Sequence, residues 1–427
     1  MKITFRKIDI WKYLFLYLIF QPTLPSLITN TTLSTFFNYT DEMIGVVLVI
    51  LTIFKSLKSE IRLLKFERYM LIFMFIFEVI GIISGFMYKY QDIKYMFVDA
   101  YTCAKFFIFY LCARLLTQNK LTHEYFFSLN GICKLLAVIF FVLSLHDTFF
   151  SPWFPVADFR YFTESVMLFF QHPEYLARAS ITLIFVLAYN SKFYKRNIYY
   201  IIMLTVVMIF TFRTKAIIGA IAVYVIYIYF IKLKLKSILP IGAAGVIGAS
   251  YLGYDSLYRY YFETDRSARF ILTQDSIELA NKLFPIGSGF GSFASSMAAQ
   301  FYSRLYYKLG YDRLADIGLG EGKRQGAFLS DTFWPIVIAQ TGWIGLVSFC
   351  LALLSMISYV INSRKTDVHY FWVAISIIIY DLISSFAAPA FFFPGAIAPY
   401  LLLGLITSIH EFPKKTIKKT NLRTTNE

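Results

Sequence analysis

Residues 69–87 read YMLIFMFIFEVIGIISGFM, nineteen positions with a single acidic or basic side chain, Glu78. At about 1.5 Å of rise per residue, a helix of this length spans a hydrocarbon core about 30 Å thick. Comparable apolar runs lie on either side, at 11–28, 43–54, 100–116, 127–145, 174–190, 197–212, 215–232, 237–254, 342–361, 370–386 and 395–409. They predict an all-α, polytopic integral membrane protein with about twelve transmembrane helices. Composition agrees, with 58% hydrophobic and only 16% charged residues, 46 Phe and 32 Tyr in 427 positions. Water-soluble domains carry roughly 25% charge and disordered chains few aromatics, so both classes are excluded.

The net charge of +15 is concentrated in alternate loops. Lys2 to Lys12, Lys55 to Arg68, Arg114 with Lys120, Lys192 to Arg196, Lys232 to Lys236, Arg364 with Lys365, and Lys414 to Arg423 hold 24 basic residues. In the facing loops, 29–41 and 387–395 hold none, 88–99 two, and 146–172 only Arg160. The positive-inside rule therefore predicts that both termini are cytoplasmic. The expected organisation is a bundle of about nine helices over 1–254, an extracytoplasmic loop over 255–333, C-terminal transmembrane helices over 334–410 and a basic cytoplasmic tail over 411–427. The outer loop balances nine basic against nine acidic residues, and the tail suits anionic lipid heads rather than nucleic acid. The first run ends in QPTLPSLITN without a small-residue cleavage pattern, so it reads as retained. Cys103, Cys112, Cys133 and Cys350 fall within predicted spans, which argues against a disulfide framework, and no Cys/His cluster suggests zinc.

In so apolar a chain, the ionisable groups retained at membrane depth point to pairing or to a site. Glu78, Lys105, Lys134, Arg178 and Asp381 are such groups, most of them expected as interior pairs or snorkelling side chains. Arg178 follows Glu174 by four residues, so the two can pair on one helix face while the guanidinium looks into an outer cavity. In the turn TFRTKAIIG (211–219), Arg213 and Lys215 break the charge rule at an outer helix junction. They form an anion site, with anchoring to lipid phosphates as the competing reading, and a planar Arg fork suits a diphosphate.

The outer-loop stretch TDRSARFILTQDSIELANKLFP (264–285) predicts an amphipathic helix starting near Asp265. Phe270, Ile271, Ile277, Leu279, Leu283 and Phe284 form its apolar stripe, with Arg266 and Arg269 in the first two turns. In IGSGFGSF (286–293), Gly287, Gly289 and Gly291 allow either a structural turn or close approach of a ligand. Tyr302, Tyr306, Tyr307 and Tyr311 offer faces and hydroxyls for sugars or for packing. Re-entry comes at LSDTFWPIVIAQTGWIGLVSF (329–349), where Asp331 is either a helix N-cap or a catalytic base. The outer loop has no DxD pair or other carboxylate cluster with divalent-metal spacing.

The order of TFRTKAIIG, then Arg269 ahead of GSGFG, then DTFWPIVIAQTGWIGL resembles the polytopic O-antigen polymerase and ligase family, over roughly residues 205–350. The resemblance implies a glycosyltransferase of GT-C-like architecture in the bacterial inner membrane, acting without cofactor or metal on the outer face. Its implied substrates are polyprenyl-diphosphate-linked oligosaccharides as donor and acceptor, and its implied partners are the bilayer and the flippase and chain-length regulator of the same pathway. The family's functional arginines fall on Arg213 and Arg269. Its His falls on Asp331 and its Asn on Thr332, a departure that favours polymerases of capsule or exopolysaccharide over ligases. On this reading Arg213, Arg269 and Asp331 are catalytic, while Lys215, Arg178, Arg266, Gly289 and Tyr302 bind substrate. The competing functions are ligation of O-antigen to a lipid or other acceptor, and transport or flipping of a lipid-linked glycan. Transport is disfavoured by the absence of related halves and by polar residues that gather at the outer surface rather than at mid-depth.

Overall fold

The structure is a computed structural model and describes residues 7–28, 31–58, 61–121, 123–160, 163–232, 267–314, 317–319 and 328–411. The expected span at 237–254, the start of the long loop with Arg266, and the basic tail beyond 411 lie outside these residues.

Continuous apolar sequence gives helices in order: α1 (Lys7–Phe20), α2 (Thr31–Asn38), α3 (Thr40–Lys58), α4 (Lys65–Tyr88), α5 (Ile93–Thr117), α6 (His123–Phe149), α7 (Pro173–Asn190), α8 (Asn197–Phe210) and α9 (Thr214–Tyr227). After the long loop begins, α10 (Ala268–Lys282), α11 (Ser296–Gln300) and α12 (Arg304–Lys308) precede α13 (Trp334–Ser363), α14 (Val368–Ser384) and α15 (Ile397–Glu411). A short antiparallel hairpin, β1 (Val156–Arg160) with β2 (Thr163–Val166), interrupts the α6 to α7 connection. The described chain is thus mostly helical, and α4, α5, α6 and α13 are long and apolar enough to cross a membrane. Large apolar side chains such as Val47, Phe54, Ile72 and Phe75 stand exposed on α3 and α4, an arrangement that a lipid surround satisfies and water does not.

Local chemistry sets several boundaries differently from the sequence reading. The run at 11–28 is not one helix, because Pro22 and Pro25 lack amide donors, and Gln21–Leu27 tightens into a 3-10 helix after Phe20. Segment 29–41, expected as a loop, contains α2. The short run at 43–54 lengthens to Thr40–Lys58, and Asp41 and Glu42 in its first turn share Lys105 of α5, whose Nζ lies 2.7 Å from Asp41. Asp367 caps α14 by accepting from the amides of His369 and Tyr370.

Helix α7 is buried at nearly every position and forms the centre of the bundle, with α14 and α15 also largely enclosed. Around this centre α13 packs on α4, α15 on α5, and α9 on α14. Helix α13 is broken at Gly342 (φ +62°), and the glycine run fills the break. Ser288 and Gly289 donate their amides to the carbonyls of Ala339 and Gln340 at 2.8 Å each, and Phe290 donates to Gly81 of α4. Gly289 has φ +89° and a Cβ there would overlap the backbone of Gly85, so the close approach that these glycines permit is to helix backbone, not to ligand.

The loop helix α10 starts at Ala268, capped by Ser267, whose hydroxyl accepts from Phe270 N, rather than near Asp265. Its buried face is Ala268, Leu272, Ser276, Leu279 and Ala280, lying against α13. Ile277 and Phe284 of the expected stripe are exposed. A true 3.6-residue face runs through 268, 272, 276 and 279, and the predicted stripe followed residue size across that periodicity.

Candidate functional site

A cavity of about 1470 Å³ opens at the end of the bundle where the β-hairpin, the α8 to α9 turn, the 267–331 segment and the α14 to α15 connection meet. Besides Lys105, which is held between Asp41 and Glu42, four cations line it. Arg160 ends β1, Arg213 precedes the first residue of α9, Lys215 is that helix's second residue, and Arg269 is the second residue of α10. The amino end of α9 carries a partial positive charge, so Arg213 and Lys215 are cations held where the helix itself already favours an anion.

Three carboxylates answer these cations. Asp158 is shared by Arg160 at 2.5 Å and Arg213 at 2.8 Å, Glu174 meets Lys215 at 3.0 Å, and Asp331 meets Arg269 at 3.6 Å. Arg213 Nε remains buried without a hydrogen-bond partner among the described residues. His172 caps α7, its Nδ1 accepting from Glu174 N at 3.1 Å; burial, reinforced by the charge of Arg213, lowers its pKa and keeps the ring neutral near pH 7. For Asp158, desolvation is outweighed by the Arg160 hydrogen bond and the Arg213 charge, which hold the carboxyl below its ordinary range. Asp331 goes the other way: burial raises its carboxyl above the ordinary value, with Arg269 and then Lys215 opposing.

The same cavity has an apolar wall. Ile218, Ile221 and Val225 recur at helical spacing on α9, opposite Ile379, Leu382 and Ile383 of α14. A cationic mouth continuous with an apolar wall accommodates an anionic head group joined to a hydrocarbon chain. Asp331, a little over a third open, is placed to accept a proton there.

Of the site residues predicted from sequence, the fold brings Arg213, Lys215, Arg269 and Asp331 to one cavity. Asp331 is not a cap: α13 begins at Trp334, the cap position is Phe333, and no side chain closes it. Arg178 does not look into the cavity. It is buried behind the wall, bonded to Asp381, 3.4 Å from Glu174, and set against the Tyr380 and Phe393 rings. Gly289 is locked in the α4 and α13 contact, and Tyr302 packs on Tyr306 and Tyr307 with its hydroxyl donating to Ile317 O, so neither lines the cavity. Arg266 lies outside the described residues.

Sequence reasoning missed Arg160, Asp158, His172 and Glu42. Arg160 had a signal, as the lone basic residue of 146–172, but nothing local tells that a hairpin folds it back to Phe212 O and Asp158. Comparison with known proteins adds no relative: no protein-family model matches the chain, and no curated protein matches it.

Proposed function

We propose that this chain is a membrane glycosyltransferase that polymerises polyprenyl-diphosphate-linked oligosaccharide repeat units on the extracytoplasmic face of a bacterial inner membrane. The observation that carries the reading is the junction, in one cavity, of Arg160, Arg213, Lys215 and Arg269 with the apolar face of α9 and α14 and with Asp331. The cations bind the diphosphate and the apolar wall takes the first isoprene units. The acceptor hydroxyl attacks the anomeric carbon of the donor sugar from the face opposite the diphosphate, the C1–O bond breaks, and the electron pair leaves with polyprenyl diphosphate. The hydroxyl proton passes to Asp331. Arginine forks meet the charge that grows on the departing diphosphate, where preorganised donors contribute most.

The test is lipid analysis of a deletion strain complemented with the chain or its Arg213→Ala variant. A polymerase-null strain accumulates single lipid-linked repeat units on the outer face, and only the unsubstituted chain restores long polymer. Accumulation of long undelivered chains would instead make the protein a ligase, and glycan trapped on the cytoplasmic face would make it a flippase.

A further inference from the structure

The cavity lining includes a second group of residues, carried by different elements and of different chemistry. Here the wall comes from the α2 to α3 corner, the outer half of α5 and the short helix α11, and it carries Asn38, Tyr39, Glu42, Thr102, Ser296 and Gln300. None of these is a free cation. The one ammonium, Lys105, is 5% exposed and already held by Asp41 at 2.7 Å and by Glu42, so two carboxylates meet one positive charge. Glu42 keeps about a fifth of its side chain open; its Oε1 is bonded to Lys105, and its Oε2 is buried. Asn38, Ser296 and Gln300 are exposed, and Tyr39 presents 40% of its surface.

A lining of neutral hydrogen-bonding groups, with the partly open Glu42, the buried Asp99 and one open aromatic ring, offers phosphate no free cation and suits a neutral polyol. Amide and hydroxyl groups both donate and accept, a carboxylate takes hydrogen bonds from sugar hydroxyls, and a Tyr ring covers the apolar C–H face of a pyranose. We infer that this part of the cavity is the saccharide-binding subsite, with Glu42 accepting hydrogen bonds from the hydroxyls of the glycan whose diphosphate sits among Arg160, Arg213, Lys215 and Arg269. The inference rests on the proposed function and adds to it where the sugar lies and which residue recognises it. Glu42 is held in place from behind by Lys105, as a recognition group must be when its geometry decides specificity.

The experiment uses the full chain in lipid nanodiscs and two probes, bare undecaprenyl diphosphate and the lipid-linked repeat unit extracted from a deletion strain. Glu42→Gln keeps an acceptor for Lys105 but loses the charge, and it should weaken binding of the glycosylated probe about tenfold or more while leaving the bare lipid within twofold. Asn38→Ala, at an exposed position, should weaken the glycosylated probe alone by a smaller factor and decides the matter if the Glu42 variant does not fold. Arg213→Ala should weaken both probes. If Arg213→Ala weakens both and neither Glu42→Gln nor Asn38→Ala discriminates between them, the saccharide subsite is wrong and the diphosphate site stands. If Arg213→Ala weakens neither, it is the proposed function that fails.

Discussion

Replacing Arg178 with Ala distinguishes a residue that binds substrate from one that holds the bundle together. Arg178 and Asp381 are 2% and 1% exposed, and Glu174 is the second carboxylate on the same guanidinium at 3.4 Å. Glu174 keeps Lys215 at 3.0 Å when Arg178 is lost, so the uncompensated group is Asp381, buried in the last turn of α14. Removing one member of such a buried pair costs about 3–5 kcal/mol, two to nearly four decades in the folding equilibrium. Loss of the guanidinium's contacts with Tyr380 and Phe393, at 5.1 and 5.6 Å, adds about 0.5–2 kcal/mol. Heating detergent-solubilised protein and measuring the fraction that stays monodisperse should show a much lower midpoint, with polymer falling in proportion to folded protein. Arg178→Met combined with Asp381→Leu should recover most of the loss, because the penalty comes from the unpaired charge rather than from the missing bond. An Arg178→Ala protein with an unchanged midpoint and no polymer would refute this account and return Arg178 to the substrate.

Arg213→Ala and Arg269→Ala should each lower polymer about 30- to 1000-fold at normal membrane protein level, with Lys rescuing only in part because it lacks the planar fork; in vivo polymer length by gel reads the result. Asp331→Asn should lower activity at least ~10-fold. Because burial raises the Asp331 carboxyl, its basic form is lost as pH falls sooner than for an exposed Asp, and Arg269→Ala, which removes the opposing charge, should move the acid limb of the residual activity to higher pH. A pH profile of each variant checks this, and an unmoved limb rules out Asp331 as the base. Alkaline phosphatase fused after Ser295 should be active and after Lys365 inactive, and the reverse pattern would invert the proposed orientation. Gly289→Val should deplete folded protein, since the side chain meets the Gly85 backbone at a positive φ; a normal level by immunoblot contradicts the glycine's packing role.

The apolar runs and their loop charges were legible because hydropathy is a local property, and hydrocarbon imposes one length on every helix that crosses it. For that reason the cores of α4, α5, α6, α8 and α14 stand close to where the sequence places them. Arg213, Lys215 and Asp331 stood out for a similar reason, since each is an ionisable group at an apolar helix end, whereas Arg269, on an amphipathic helix, stood out through the resemblance. What sequence left open is what each charge faces. The pairing of Arg178 with Asp381 joins positions 203 residues apart, and α7 turns that guanidinium inward rather than toward the cavity. Asp158 reaches Arg213 from a hairpin 55 residues away, and Glu42 meets Lys105 across 63 residues. Gly289 reads equally as ligand loop or packing device until Gly85 and the break at Gly342 are placed beside it. Burial and charge pairing depend on which helices become neighbours, a long-range outcome of packing. The sequence by itself therefore determined the membrane-compatible helical architecture and the ionisable candidates, and the tertiary structure alone decided which of them share a cavity.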